Sequence, residues 1–402
     1  MPGLGFLLHR RTRRLRLALL LVVAVFCFLD VLHAWHAQSR AHQSNLNQPK
    51  LPLQNIFIAS LHWNSEAVLR AAWSESLLSL VDSLGAASVF VSIYESGSWD
   101  GTKGLLTELD GKLGERNIPR RVILDNTTHA DEMKSTDPQG WVTDLTGKRH
   151  RRRIPYLAGL RNTVLEPLVE QKAKGVVYDK VLFIEDIIFA ANDARSLLAT
   201  RGGDYAAACA LDASVAPLLY DTFALRDSEG HEPLSIRWPY FRSARSREDT
   251  INGEPVPVRS CWNGMVAMGA APFYDGLKFR GLPDSLATAH LEGSECCLIH
   301  ADNKATVKKG VWMNTNVRIA YNVKAYAGVH PLNRPYLSTS DIGFGLWANR
   351  LLRWWSTTWF KDRIVDTRMF AWKQEDTANT EVGRDCIVNE MQILVENGWA
   401  HV

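Results

Sequence analysis

Five short runs of branched and aromatic residues recur along the chain with helix-period segments between them, and this alternation limits the fold more than any other feature. The runs are NIFIAS (55–60), ASVFVSIYE (87–95), RVILD (121–125), KVLFIED (180–186) and YAAACALD (205–212). The segment SEAVLRAAWSESLLSLVDSLG has apolar residues at helical spacing and ends at Gly85, a residue suited to closing a helix. A second, LAGLRNTVLEPLVEQKAKG, ends at Gly175, and a third, NDARSLLATRGG, offers Asn192 or Asp193 as its N-cap. Strand–helix alternation predicts an α/β layered domain with a mainly parallel central sheet. In such sheets ligands sit beyond the C-terminal ends of the strands.

The N-terminal segment belongs to a different class. Residues 1–40 hold six arginines and one acid, Asp30, so the formal charge of +3 for the whole chain leaves a slightly acidic remainder. A nucleic-acid binder carries its basic excess on the folded body, and that class is set aside. The arginines precede an unbroken apolar run, Leu17–Leu29, which reaches Trp35 if Asp30 and His33 are tolerated. A signal peptide and a signal anchor share this pattern. VLHA is a poor cleavage site because Leu32 is bulky, and Trp35 suits a membrane interface, so an anchor is favoured. The expected organisation is a cytoplasmic basic tail (1–16), a transmembrane signal anchor (17–35), a polar stem linker (36–54), a catalytic domain (55–334) and a helical, aromatic C-terminal extension (335–402). Positive charge stays cytoplasmic, so the body faces a lumen. The acceptor triplet Asn126-Thr127-Thr128 agrees with a lumenal glycoprotein. Cys27 lies in the apolar run, which leaves five cysteines, at most two disulfides, and no spacing that suits structural zinc.

Four stretches carry more polar chemistry than structure alone demands. In YESGSWDGT a strand-to-helix turn accounts for Gly97, Gly101 and Asp100, but not for Glu95, which emerges from an apolar strand. Glu95, Ser98 and Asp100 are candidate contacts for a nucleoside, with the glycines permitting close approach. In KRHRRRIPYLAGLRN most of the cations read as a solvated loop, whereas Arg161 sits on an apolar helix as a surface arginine or a diphosphate contact. In KVLFIEDIIF, Glu185 and Asp186 interrupt apolar residues. Such acids either cap the next helix or hold Mn²⁺ or Mg²⁺ together with a diphosphate. Asp212 ends another strand. In SCWNGMVAM and SECCLIHAD, Trp262 and Asn263 read either as core residues or as a sugar-stacking acceptor site, and Glu295 either as an ion-paired carboxylate or as a reactive one.

Taken in order, VFVSIYESGSWDGT, RIPYLAGLRNTVLEPL, VLFIEDIIF, GGDYAAACALD, LYDTFALRD, PVPVRSCWNGMVAM and SECCLIHAD resemble the fungal α-1,3-mannosyltransferases related to the cryptococcal capsule-associated proteins, over Asn55 to Tyr321. The resemblance implies a GT-A-type nucleotide-binding sandwich in a single-pass type II Golgi membrane enzyme. It implies transfer of mannose from GDP-mannose with Mn²⁺, through an α-1,3 linkage and with retention. A more distant likeness to other GT-A enzymes implies nucleoside contact by Glu95, diphosphate or structural contact by Arg161, and metal binding by Asp186. Their metal motif is commonly Asp-x-Asp and here reads Glu-Asp, so Glu185 is the less secure ligand. Glu295 and Asp212 are the candidates for a carboxylate near the anomeric carbon.

Three other readings remain open on the residues alone: the same fold using another nucleotide sugar such as UDP-xylose, a carbohydrate-binding scaffold without turnover, and a glycoside hydrolase, whose chemistry also uses paired acids. The C-terminal stretch GLWANRLLRWWSTTWF reads as a core-packed stripe or as an amphipathic helix on a membrane surface.

Overall fold

A computed structural model describes residues 3–45 and 54–402, apart from Leu145 and Asn333. Its centre is a nine-stranded sheet built on β1 (Ile56–His62), β2 (Val89–Ser96), β3 (Arg120–Asp125), β4 (Lys180–Ile184), β5 (Ala207–Ala213), β6 (Arg226–Asp227), β7 (Val256–Ser260), β8 (Met265–Gly269) and β9 (Val311–Ala320), in the order β3-β2-β1-β4-β8-β5-β9-β7-β6. Strands β3, β2, β1 and β4 pair in parallel, and so do β5 and β9. β8 runs antiparallel between β4 and β5. The five strands expected from the sequence all form, within a few residues of the expected limits.

Strands β2, β4 and β5 are buried on both faces, which is why they read as near-continuous apolar runs, whereas the edge strand β3 is only half-buried. One face packs under α2 (Ser74–Leu84), α3 (Thr102–Glu115) and α5 (Ala191–Leu198), around Val91, Leu106, Ile184 and Leu197. The other packs under α4 (Arg153–Ala173), around Phe57, Phe90, Leu168 and Phe183. Helix α5 starts after Ala190, and Asp193 reaches back to that residue's amide from inside the first turn. Cys209–Cys261 ties β5 to the end of β7, and Cys297–Cys386 ties α7 (Glu295–Asp302) to the C-terminal segment. Cys27 and Cys296 are free, and Asn126 is exposed just after β3.

The N-terminal organisation differs from the expectation. Helix α1 (Gly3–Asn45) does not end near Trp35 but runs ten residues further through the segment read as a stem. Ala34, Ala37, Gln38 and Ala41 fall on one face at i, i+3, i+4 and i+7 and are buried. Their small side chains let α1 lie close to α6 (Ala244–Asn252), and Gln38 donates to the carbonyls of Thr250 and Ile251 at 3.0 and 3.1 Å. The polar composition that suggested a linker is therefore that of a docking helix. The remainder of the expected stem, 46–53, lies outside the described residues.

Candidate active site

The C-terminal ends of the parallel strands meet the start of antiparallel β8 along one edge of the sheet. The Glu185 amide donates to the Gly264 carbonyl at 2.9 Å, which sets Asn263 and Gly264 beside Glu185 and Asp186. Gly264 has φ +71°, and a Cβ there would lie 2.7 Å from Ile187 and 3.0 Å from Ile319, so any side chain would be strained and would push these neighbours aside.

A cavity of about 570 Å³ opens at this edge. Its walls include Arg161, Glu185, Asp186, Asp221, Glu295 and Tyr321. A larger cavity of about 800 Å³, around Lys180, Gly269 and Lys309, lies at the opposite ends of the strands, where the sheet presents none of these acids.

Arg161 is buried between two carboxylates: Nη1 donates to Glu185 at 2.5 Å and Nε to Glu295 at 3.1 Å. Its guanidinium lies over the Trp262 ring, 4.3 Å from the centroid. The acids hold its proton more tightly than usual although burial acts against the charge. Arg161 is thus a strut that fixes two acids. Cys296 donates to Glu295 at 3.3 Å, and burial pushes the thiol up, so it stays protonated. Asp186 differs: among the described residues its carboxylate makes no side-chain hydrogen bond or ion pair. Burial, then the neighbouring Glu185 charge, pushes it up to about 7. The Arg161 charge reaches Asp186 but is already paired with Glu185 and Glu295, and an oxygen-seeking divalent cation supplies a direct counter-charge. The donor set fits such a cation through Asp186, with Glu185 already committed to Arg161. No group of three or more His, Cys, Asp or Glu side chains comes together as a complete metal cage among the described residues. A cation here therefore needs ligands from substrate or solvent.

Asp212 is fully buried and does not reach the cavity, which corrects its expected place beside the reacting carbon. It accepts from Asn263 Nδ2 at 2.8 Å, Tyr321 OH at 3.1 Å and the Asp221 amide at 3.2 Å. Burial, then the Asp221 charge, pushes its carboxyl up to about 7. Asp221 occupies the wall instead. It caps its own turn by accepting from the Phe223 and Asn263 amides at 3.0 and 3.4 Å. Asn263 is also fully buried, in a left-handed conformation at φ 51°, with its amide spent on Asp212 and the Asp221 carbonyl. It supports the site and does not present itself to an acceptor. Trp262 lines the cavity but is 4% exposed, packed against Phe183 and Phe279 and beneath Arg161, so it is no open stacking platform.

Glu95, Ser98 and Asp100 end β2 on the same edge. The register His62↔Glu95 puts β1 between β2 and β4, so Glu95 lies two strands, about 10 Å, from the end of β4. None of the three lines the cavity. Glu95 accepts from the Ser98 amide at 2.5 Å and pairs with Lys103 at 3.1 Å. Ser98 Oγ accepts from the Asn64 amide at 2.8 Å, and Asp100 accepts from the Glu66 and Thr102 amides at 3.1 and 3.0 Å. Gly97, at φ +64°, lets this loop close on Thr127, whose carbonyl would sit 2.2 Å from an added Cβ. These side chains build the loop, against the expectation that they are free to meet a nucleoside.

Several residues of the cavity were not expected. Arg153, read as part of a solvated run, half-buries on the wall, donates to Gln392 Oε1 at 2.6 Å and lies 4.7 Å over the Trp399 ring. Arg151 and Arg152 are buried too, and Arg152 pairs with Glu292 and Asp284 at 2.6 Å each. Trp399 and His401 come from the hairpin β10 (Gln392–Val395) and β11 (Gly398–His401), which closes one side of the cavity. The C-terminal extension is therefore part of the site.

Comparison with known proteins places this geometry. The family described as cryptococcal mannosyltransferase 1 matches residues 55–302. No curated protein matches the chain. Among solved structures, a mannosyltransferase from Pyrobaculum calidifontis in complex with GDP-Man and Mn²⁺ is 11% identical, covers 89% of this chain and 87% of its own, and gives a TM-score of 0.35. TarS residues 1–349 of S. aureus with UDP is 12% identical, with coverages of 86% and 98% and a TM-score of 0.35. GalNAc-T7 with UDP, GalNAc and Mn²⁺ is 12% identical, with coverages of 80% and 55% and a TM-score of 0.39. Family and sheet topology together make the domain a GT-A-type α/β sandwich.

Proposed function

The chain belongs to the cryptococcal mannosyltransferase 1 family and is a glycosyltransferase, and from that premise we propose that it moves mannose from GDP-mannose to a glycan or glycolipid acceptor, forming an α-1,3 linkage with retention of configuration. The observation that carries this reading is the Asp186 carboxylate, left without an ion pair of its own among the described residues, in a cavity at the C-terminal edge of the sheet. Asp186 is the ligand for Mn²⁺ or Mg²⁺, and Glu185 orders it from beneath while held by Arg161. A cation held there would supply the charge withdrawal that a departing diphosphate needs.

The other roles follow from placement. Arg153, with a guanidinium on the wall, is the arginine suited to a diphosphate, and Arg161 positions Glu185 and Glu295. Glu295 faces the reacting sugar, with Asp221 as a second carboxylate on the wall. Asp212 and Asn263 hold Asp221 from below, and Tyr321 in turn donates to Asp212. Glu95, Ser98 and Asp100 shape the shelf on which the nucleoside lies, and Trp262 gives the acceptor side an apolar wall. The body works in a Golgi lumen, anchored as a single-pass type II protein by the apolar part of α1. Full chain in detergent, offered GDP-mannose and UDP-sugars with and without Mn²⁺, tests the reading. Metal-dependent use of GDP-mannose with an α-1,3-linked product supports it. Use of a UDP-sugar alone, or sugar release without any nucleotide, replaces it.

A further inference from the structure

Helices α8 (Thr339–Trp355) and α9 (Trp359–Glu375) present a broad apolar surface. Phe344, Trp354, Trp355, Trp359, Phe360 and Phe370 are each more than half exposed, Trp355 at 86%. Single exposed apolar residues are ordinary, but six large aromatics on two consecutive helices are not.

The surface adjoins α1. A Cβ at Gly343 would meet Val31 at 3.5 Å, whereas Arg350 pairs with Asp30 at 2.6 Å and lies over Phe26, 5.4 Å from the ring. Moving from 343 to 350 along α8 therefore means moving from 31 back to 26 along α1. The two helices run antiparallel, and the last turn of α8 heads toward the exposed apolar stretch of α1. Five further residues, Leu351 to Trp355, carry it about 7 Å beyond Arg350. The Arg350 partnership also accounts for Asp30, the one acid in the apolar run, since an acid at that depth needs a counter-charge. Cations are interleaved with the aromatics: Arg353 and Lys361 flank them, and Arg363 lies over the Trp359 ring at 5.3 Å. Tryptophan with arginine and lysine is the composition that suits the headgroup layer.

We propose that α8 and α9 form a membrane seat, the C-terminal end of α8 entering lipid alongside the span of α1 and holding the catalytic body against the bilayer. The occupant is lipid, because the patch continues the lipid-facing surface of α1 and its cations meet headgroup phosphates. The proposal rests on the reading of α1 as an anchor. The test uses full chain carrying Cys27→Ser, reconstituted in phosphatidylcholine–phosphatidylserine vesicles, with single nitroxide labels at Trp355→Cys, Phe360→Cys, Leu21→Cys and Glu166→Cys. Collision with oxygen reports lipid, and collision with a water-soluble nickel complex reports solvent. The expected result is an oxygen-to-nickel ratio at 355 and 360 shifted from the water-like value at exposed Glu166 toward that at Leu21. Lipid at 21 with water at 355 and 360 overturns the seat alone. Water at 21 removes the anchor reading and the seat together. Protection of 355 and 360 from both reagents marks a protein partner and overturns the choice of lipid.

Discussion

Two strand ends on the same sheet edge, β2 at Glu95 and β4 at Asp186, carry acids that look alike in sequence and behave differently in the fold. At the β2 end each acid meets donors close by: Glu95 has Ser98 and Lys103 from its own loop and the helix that follows, and Asp100 has Thr102 and, from the segment after β1, Glu66. At the β4 end Glu185 takes one arm of Arg161, and Asp186 takes none. Burial then raises Asp186 toward neutrality. A self-satisfied polar loop is structure, whereas an acid held without a counter-charge costs stability and points to a missing partner.

The contrast can be broken at several points. The largest effect belongs to Asp186→Ala, which should lower transfer by about 10³-fold or more, several kcal/mol of charge stabilisation, with the circular dichroism spectrum unchanged. Full activity would make Asp186 as structural as Glu95. Arg161→Met leaves Glu185 and Glu295 buried and unpaired, and should cost about 3–5 kcal/mol of stability in urea unfolding. A loss below 1 kcal/mol would deny the strut. Removing Cys297–Cys386 by paired serines frees the segment leading to the Trp399 hairpin. The expected cost is about 2–4 kcal/mol, with a raised KM for donor and kcat less affected.

A pH measurement sharpens the comparison. Burial and the neighbouring Asp221 charge raise the Asp212 carboxyl to about 7, the two acids titrating as a pair, against about 3.9 for an unfolded aspartate. The folded chain keeps that proton longer, so this stability is fully present below about pH 4 and is lost as pH rises through 7. Asp212→Asn should flatten the fall in urea midpoint between those values. The smallest effect is expected of Glu95→Gln, which keeps an acceptor for the Ser98 amide and should raise KM for the donor by less than about tenfold. A larger rise would move Glu95 from loop to ligand.

What could be read beforehand follows from how local each signal is. β1, β2, β4 and β5 were legible because strands buried on both faces are apolar throughout, the half-buried edge strand β3 showed only its short apolar centre, and Asp186 stood out because it ends such a run. Asp221 did not, since its importance comes from Asn263 and Asp212, which lie 42 and 9 residues away. The burial of Asn263 depends on a left-handed turn that a glycine-containing loop only hints at. Arg153 was hidden in a charged run that mixes exposed Lys148 and Arg149 with buried Arg151 and Arg152, and the burial of each is set by partners far away in sequence. Trp399 and His401 reach the cavity through a pairing of strands and a disulfide that spacing alone cannot assign. The docked part of α1 resembled a stem because helix packing through alanine and glutamine leaves no apolar periodicity.

Mn²⁺ binding in the presence of GDP, followed by electron paramagnetic resonance on the full chain and its variants, tests the central difference most directly. The account predicts that wild type and Glu95→Gln deplete the free Mn²⁺ signal to a similar extent and that Asp186→Ala does not. Wild-type depletion by Asp186→Ala, or its loss in Glu95→Gln alone, would contradict it.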